Sequence, residues 1–183
     1  MDQIERPSKE QLLAARGKTI PDVIAPDLRI LFCGINPSLY SAAVGHHFAR
    51  PGNRFWPALH AARMTPRLYS PFADQALIAL GLGITNVVAR ATAAADELSS
   101  AELVTGGQQL LRKLVRYRPH CLVVLGIVAF RQAFARPAAA LGEQQEPLGQ
   151  SRVWVLPNPS GLNAHHPLAD LARRLRAVDR AMR

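Results

Sequence analysis

Cysteine is scarce. The 183 residues contain two, Cys33 and Cys121. Two thiols are too few for a four-cysteine zinc or iron–sulfur site, and nothing in them points to an oxidising compartment. Both sit in apolar stretches and read as small buried core residues. Long apolar runs are missing as well. No stretch approaches the roughly 18 unbroken apolar residues of a membrane span. Met1 to Lys18 mixes acids, bases and glutamine with no apolar block. No secretory signal is expected there, so the default location is cytoplasmic, nucleoid-associated if the partner is DNA. Acids are outnumbered: 13 Asp and Glu face 22 Lys and Arg, a net charge of +9. A surplus of that size suits an anionic partner, nucleic acid before a membrane surface, against the plainer alternative of a solvated basic face. No G-x-G-x-x-G follows a strand and there is no P-loop, so the usual nucleotide fingerprints are absent.

Hydrophobic residues make up 49% of the chain, enough for the core of one globular domain over residues 1–183. Residues 1–27 read as an N-terminal extension with a short helix over Lys9–Arg16, ended by Gly17 and followed by a Pro21/Pro26 linker. Four apolar stretches read as strands: Leu28–Cys33, Ile84–Val88, Cys121–Gly126 and Arg152–Leu156. Helical patterns alternate with them: Asn53 to about Arg63, Pro71–Leu80, a segment opened at Ser99 by a capping box with Glu102, Ile127–Ala135, and Leu168–Met182. The glycine pair Gly106-Gly107 weakens the middle of the Ser99 helix. Leu39–Pro51 and Pro137–Gly149 read as loops. The last helix carries an apolar stripe of Leu168, Leu171, Leu175 and Val178, and the arginines Arg173, Arg174, Arg176, Arg180 and Arg183. Short strands alternating with helices predict a parallel sheet covered on both faces.

Two turns stand out. Gly34-Ile35-Asn36-Pro37-Ser38 follows the first strand, and Asn158-Pro159-Ser160-Gly161-Leu162-Asn163 follows the fourth. In a parallel sheet both fall at the carboxyl edge, where ligands bind, and face one cleft. Asn36 is a neutral amide. It can hold a water or a substrate edge but cannot take a proton at neutral pH, so its chemistry is positioning; the plainer reading is a strand-terminating Asn-Pro turn. Leu162 is apolar in a polar turn. Either it folds back on the core or it stands out as a wedge between DNA bases.

The motifs together resemble the mismatch-specific uracil/thymine-DNA glycosylases of the uracil-DNA glycosylase superfamily. The resemblance rests on GINPS, on Phe48-Ala49-Arg50-Pro51-Gly52-Asn53-Arg54-Phe55-Trp56, and on LPNPSGL, with an intermediate ITNVV segment, and runs from about Leu28 to Leu175. It implies a three-layer α/β/α domain with a central, mainly parallel four-stranded sheet. It also implies monofunctional hydrolysis, without a cofactor, of the bond joining uracil, with thymine or other damaged pyrimidines as further candidates, to deoxyribose in mispaired duplex DNA; a monomer with no membrane partner is expected. By position, Asn36 matches the residue holding the attacking water and Phe48 the aromatic stacked on the extruded base, with Ile35 and Ser41 beside that base. Leu162 matches the wedge, with Asn158, Ser160, Gly161 and Asn163 around it. Ser38 departs from the family's usual glycine, and Asn163-Ala164-His165-His166 departs from the Ser-Arg that often follows NPSGL.

The chemistry leaves one gap. Asn36 cannot accept a proton, so a carboxylate is wanted to activate water. Asp96, in the loop after the second strand, is the candidate; the alternative is an exposed loop acid, since Ser99 and Glu102 already cap the next helix. His46-His47 and His165-His166 have the wrong spacing for a metal site and no accompanying carboxylate, so no metal is expected and contact with phosphate or solvent is. Two other classes stay open. A non-catalytic nucleic-acid-binding module has no need of an Asn36–Phe48 pocket, and a nucleoside hydrolase has no need of a wedge or a basic surface.

Overall fold

The computed structural model describes residues 6–163 and 165–183. Four five-residue apolar segments form its parallel strands: β1 (Ile30–Gly34), β2 (Leu82–Asn86), β3 (Cys121–Leu125) and, after a two-residue strand β4 (Gly142–Glu143), β5 (Arg152–Leu156). Every residue of β1, β2 and β3 is buried, which is why β1 and β3 read as apolar runs rather than alternating ones, while β2 ends in the buried polar pair Thr85 and Asn86. The spatial order is β2-β1-β3-β5-β4.

The sheet therefore has five strands, not four. β4 pairs antiparallel with the outer edge of β5, where the Arg152 side chain donates to Glu143 at 2.9 Å. Two residues inside a polar stretch carry no periodicity; the open edge of β5 is what draws them into the sheet. β2 also lies two residues earlier than its pattern suggests. Pairing with β1 ends at Gly34 opposite Asn86, so Val87 and Val88 lie past the strand end while Leu82 and Gly83 are inside it.

Alternate strand residues face opposite layers. On one side Ile30, Phe32 and Val123 pack with Trp56 and Leu59 of α3 (Phe55–Ala61) and Leu171, Leu175 and Val178 of the final long helix (Leu168–Ala181). On the other, Leu31, Cys33, Leu122 and Val124 pack with Leu103, Leu110 and Leu114 of α4 (Ser100–Tyr117) and Phe130 of α5 (Ile127–Ala133). The final helix is α6 in chain order. Ser99 caps α4 with Glu102 as its reciprocal partner. Gly106 and Gly107 do more than weaken that helix: a Cβ on them would lie 2.3 Å from Val87 O and 2.4 Å from Ala133 O. The missing side chains let α4 approach both the strand end and α5.

Residues 39–51 are not all loop. Leu39–Val44 is helix α2, capped by Ser38, whose Oγ accepts from Ser41 N at 3.1 Å, and closed by Gly45 in the left-handed region at φ 77°. This helix is too short for a periodic signal, and its cap is the residue that departs from the family's glycine. Pro71–Leu80 is 3-10 helix, broken at Ala73, rather than α-helix. The extension contributes α1 (Lys9–Ala14), which packs on α2, and Val23, which exchanges two backbone hydrogen bonds with Ile84 of β2 at 2.9 and 2.8 Å.

Candidate active site

A cavity of about 410 Å³ opens at the carboxyl ends of the parallel strands. Both strand-end turns line it, together with the 47–53 turn, Asn86 and residues 92–95. The structure thus brings Ile35, Asn36, Ser41, Phe48, Asn158, Ser160, Leu162 and Asn163 to one cleft. Gly161 lies in the same loop without lining it. Gly34 makes the floor: a Cβ there would sit 2.5 Å from Asn86 Oδ1 and 3.2 Å from the Phe48 ring.

Asn36 is held in one orientation. Its Nδ2 donates to Arg90 O at 3.0 Å and to Thr92 Oγ1 at 2.8 Å. Thr92, itself 2% exposed, passes its hydroxyl proton to Ala94 O at 2.7 Å. Both amide hydrogens are spent, so the Asn36 side chain offers the cleft an acceptor, Oδ1. Thr92 is not visible as a functional residue in the sequence, because it acts only through Asn36.

Phe48 has φ 53°, a left-handed conformation that costs a side-chain-bearing residue about 1–2 kcal/mol. Its surroundings impose it. Trp56 Nε1 donates to His47 O at 3.2 Å, and Ala49 N donates to the buried Ser41 hydroxyl at 3.0 Å. The Phe48 ring stacks on Phe55 with centroids 4.2 Å apart and planes at 28°, while also lining the cavity. Ser41 therefore spends its hydroxyl on the turn that presents Phe48.

Of the two histidine pairs, His165 is exposed to solvent as expected, His46 and His166 are partly exposed, and His47 is not. His47 is 2% exposed. Its Nε2–H donates to Pro21 O at 2.9 Å, and its Nδ1 accepts from Asn86 Nδ2 at 3.4 Å. Burial pushes its pKa down, which keeps the ring neutral. His46 bonds the buried Asp74 at 3.0 Å, and His166 bonds Asp170 at 2.9 Å. Asn86, which the sequence shows only as a strand residue, ends β2 inside the cleft with one N–H given to His47.

The second turn is largely occupied with itself. Asn158 Oδ1 accepts from Ser160 N at 3.0 Å, Ser160 Oγ accepts from Leu162 N at 3.3 Å, and Asn163 Nδ2 donates to Asn158 O at 3.1 Å. These bonds leave Leu162 projecting, 77% exposed at the rim. It does not fold back on the core.

Asp96 lies in an exposed 3-10 turn, Ala95–Glu97, and is not among the cavity's lining residues, although its neighbour Ala95 is. The described lining residues include no carboxylate and no lysine; Arg50, exposed at the rim, is their one arginine. Burial pushes the Cys33 thiol far up, so it is no nucleophile. Three arginines of α6 are engaged within the chain, Arg173 and Arg174 with Asp170 and Arg176 with Ala61 O, and Arg183, past the helix end, pairs with Asp179. Among the described residues no group of three or more metal-ligating side chains occurs, and no helix is long and apolar enough to cross a membrane.

The layered fold, a mostly parallel sheet between helices with a cleft at its carboxyl edge, agrees with a family match over most of the chain. Residues 21–181 match the Uracil DNA glycosylase superfamily, and the chain belongs to that superfamily.

Proposed function

We propose that this protein is a monofunctional DNA glycosylase that extrudes uracil from mispaired duplex DNA and hydrolyses its N-glycosidic bond, leaving an abasic site. The observation that carries this reading is the pairing of an amide-lined pocket, without a carboxylate among its described lining residues, with a projecting Leu162 at its rim. Removing a base from the stack costs a few kcal/mol, least where the base is mispaired, so a mismatch preference follows without a dedicated reader. Leu162 fills the gap, and the extruded base stacks on Phe48.

Asn86 has Oδ1 and one N–H left for a base edge. Uracil presents N3–H and O4, which an amide complements; cytosine presents the reverse order, and the bond to His47 resists an amide flip. The bond from C1′ to N1 then breaks with its electron pair leaving on the base. Backbone N–H groups of the turns around Ile35 and Phe48 are the proposed donors to that anion. Water accepted by Asn36 Oδ1 adds to C1′ and loses its proton to solvent. An amide cannot deprotonate water, so bond breaking runs ahead of attack and the reaction needs a good leaving group. Uracil and electron-poor analogues meet that need; cytosine does not. A lysine amine that could displace the base covalently is missing from the described lining residues, which supports hydrolysis over a Schiff-base route.

Asp96 loses the role of base in this scheme because its carboxylate is outside the pocket wall. The test is direct. The purified protein is incubated with a duplex carrying a single uracil opposite guanine, a matched duplex with uracil opposite adenine, and the single strand, and alkali-labile sites are counted. Cleavage fastest in the G-opposed duplex is expected. No cleavage in any of the three would reject the reading, and equal rates opposite guanine and adenine would reject mismatch preference alone.

A further inference from the structure

Leu162 can act as a wedge only if the loop beneath it is rigid, and that loop has no helix or strand of its own. Three of its carbonyls converge on one guanidinium. Arg54 Nη1 donates to His166 O at 2.7 Å, and Nη2 donates to Ser160 O at 2.5 Å and also to Asn163 O. The backbone N–H of Arg54 donates to Pro159 O at 2.9 Å. Gly161 closes the joint: a Cβ there would lie 2.7 Å from Gly52 O, so the 50–54 and 158–163 turns interlock. A planar five-donor fork can serve three carbonyls at once, whereas lysine offers a single point of charge. The Arg54 Nε is buried without a partner among the described residues, a cost that the carbonyl bonds offset.

The next residue in the chain is Phe55, the ring on which Phe48 stacks, and Asn53 Oδ1 fixes its N–H at 2.9 Å. One dipeptide thus holds the exposed loop with its first residue and the aromatic platform with its second. We infer that Arg54 is a positioning residue that locks the Leu162 loop in register with the Phe48 pocket, so that wedge insertion and base capture occur at a fixed separation. The inference rests on the glycosylase reading for the roles of Leu162 and Phe48, but the lock itself does not.

Two measurements separate them. Hydrogen exchange of peptides covering residues 158–163 is compared in the wild type and Arg54→Gln, with thermal melting to confirm folding. Exchange there rises about tenfold or more while the sheet is unchanged. Excision is then measured on G-opposed duplex and on single strand. Losing charge-assisted bonds lowers duplex turnover by up to about tenfold, no more than loss of the wedge itself, while the single strand, which has no stack to wedge, changes by no more than about threefold. In a Leu162→Ala background the Arg54→Gln step shrinks to within about threefold, since both changes disable one device. Arg54→Lys, which keeps the charge, repeats the duplex-selective loss and serves as the second variant if the glutamine protein melts early. Unaltered loop exchange, equal losses on both substrates, or an undiminished step in the Leu162→Ala background overturns the inference. A wild type that excises from neither substrate overturns the glycosylase reading instead, and loop exchange still reports separately on the lock.

Discussion

The two turns at the carboxyl edge of the sheet are built from the same residue types and behave in opposite ways. In the first, the side chains bond outward: Asn36 to Arg90 O and Thr92, and Ser38 to the start of α2. That turn is held between β1, α2 and the 90–94 segment and lines the floor of the cleft. In the second, Asn158, Ser160 and Asn163 bond inward to their own loop, and Leu162 is left in solvent. Asn, Pro and Ser make a turn in both places. Whether the turn floors the cleft or projects from its rim depends on what packs around it.

The comparison breaks most severely at the first turn. Asn36→Ala removes the only contact proposed for the attacking water, and turnover falls by about 10²- to 10⁴-fold, the scale of one lost transition-state positioning group. The loss appears equally on duplex and single-stranded uracil DNA. A variant retaining wild-type turnover would leave the floor without its chemical role.

At the second turn the expected effect is smaller and substrate-dependent. Leu162→Ala lowers excision from a G-opposed duplex by about tenfold, the equivalent of one lost contact of roughly 1.4 kcal/mol, and affects the single strand much less. Parallel losses on both substrates would mean that Leu162 is no wedge.

A third measurement concerns the support beneath the floor. Burial holds the folded-state pKa of His47 below its ordinary 6.5. The unfolded chain therefore takes up a proton that the folded chain refuses once pH falls through that value. Stability is fully present above about pH 6.5 and declines as pH drops toward the lower folded value. The melting temperature should fall over this window in the wild type and fall less in His47→Gln. Identical slopes in the two proteins would show that His47 does not carry the dependence.

The smallest effect is expected outside both turns. Asp96→Ala should keep turnover within about twofold of wild type, as surface changes away from a site do. A loss comparable to that of Asn36→Ala would restore Asp96 as the base and require the 95–97 turn to move inward on DNA.

The sequence by itself determined the layered α/β architecture, because buried parallel strands need apolar runs and Ile30–Gly34, Cys121–Leu125 and Val153 to Leu156 supply them. It also determined that two turns share one edge, since the parallel strands of one sheet end on the same side. The cap of α4 was readable for a similar reason: Ser99 and Glu102 interact over three residues, within reach of any local pattern. Tertiary structure decided the rest. Thr92 orients Asn36 from 56 residues away, Pro21 fixes the tautomer of His47 across 26, and Arg54 holds Ser160 across 106. No periodicity encodes such pairs, because the bonds exist only after the sheet has brought distant turns together. The same limit explains β4, a strand made by the neighbouring edge rather than by its own residues, and Asp96, whose place in the chain put it near the site while its exposed turn kept it off the wall.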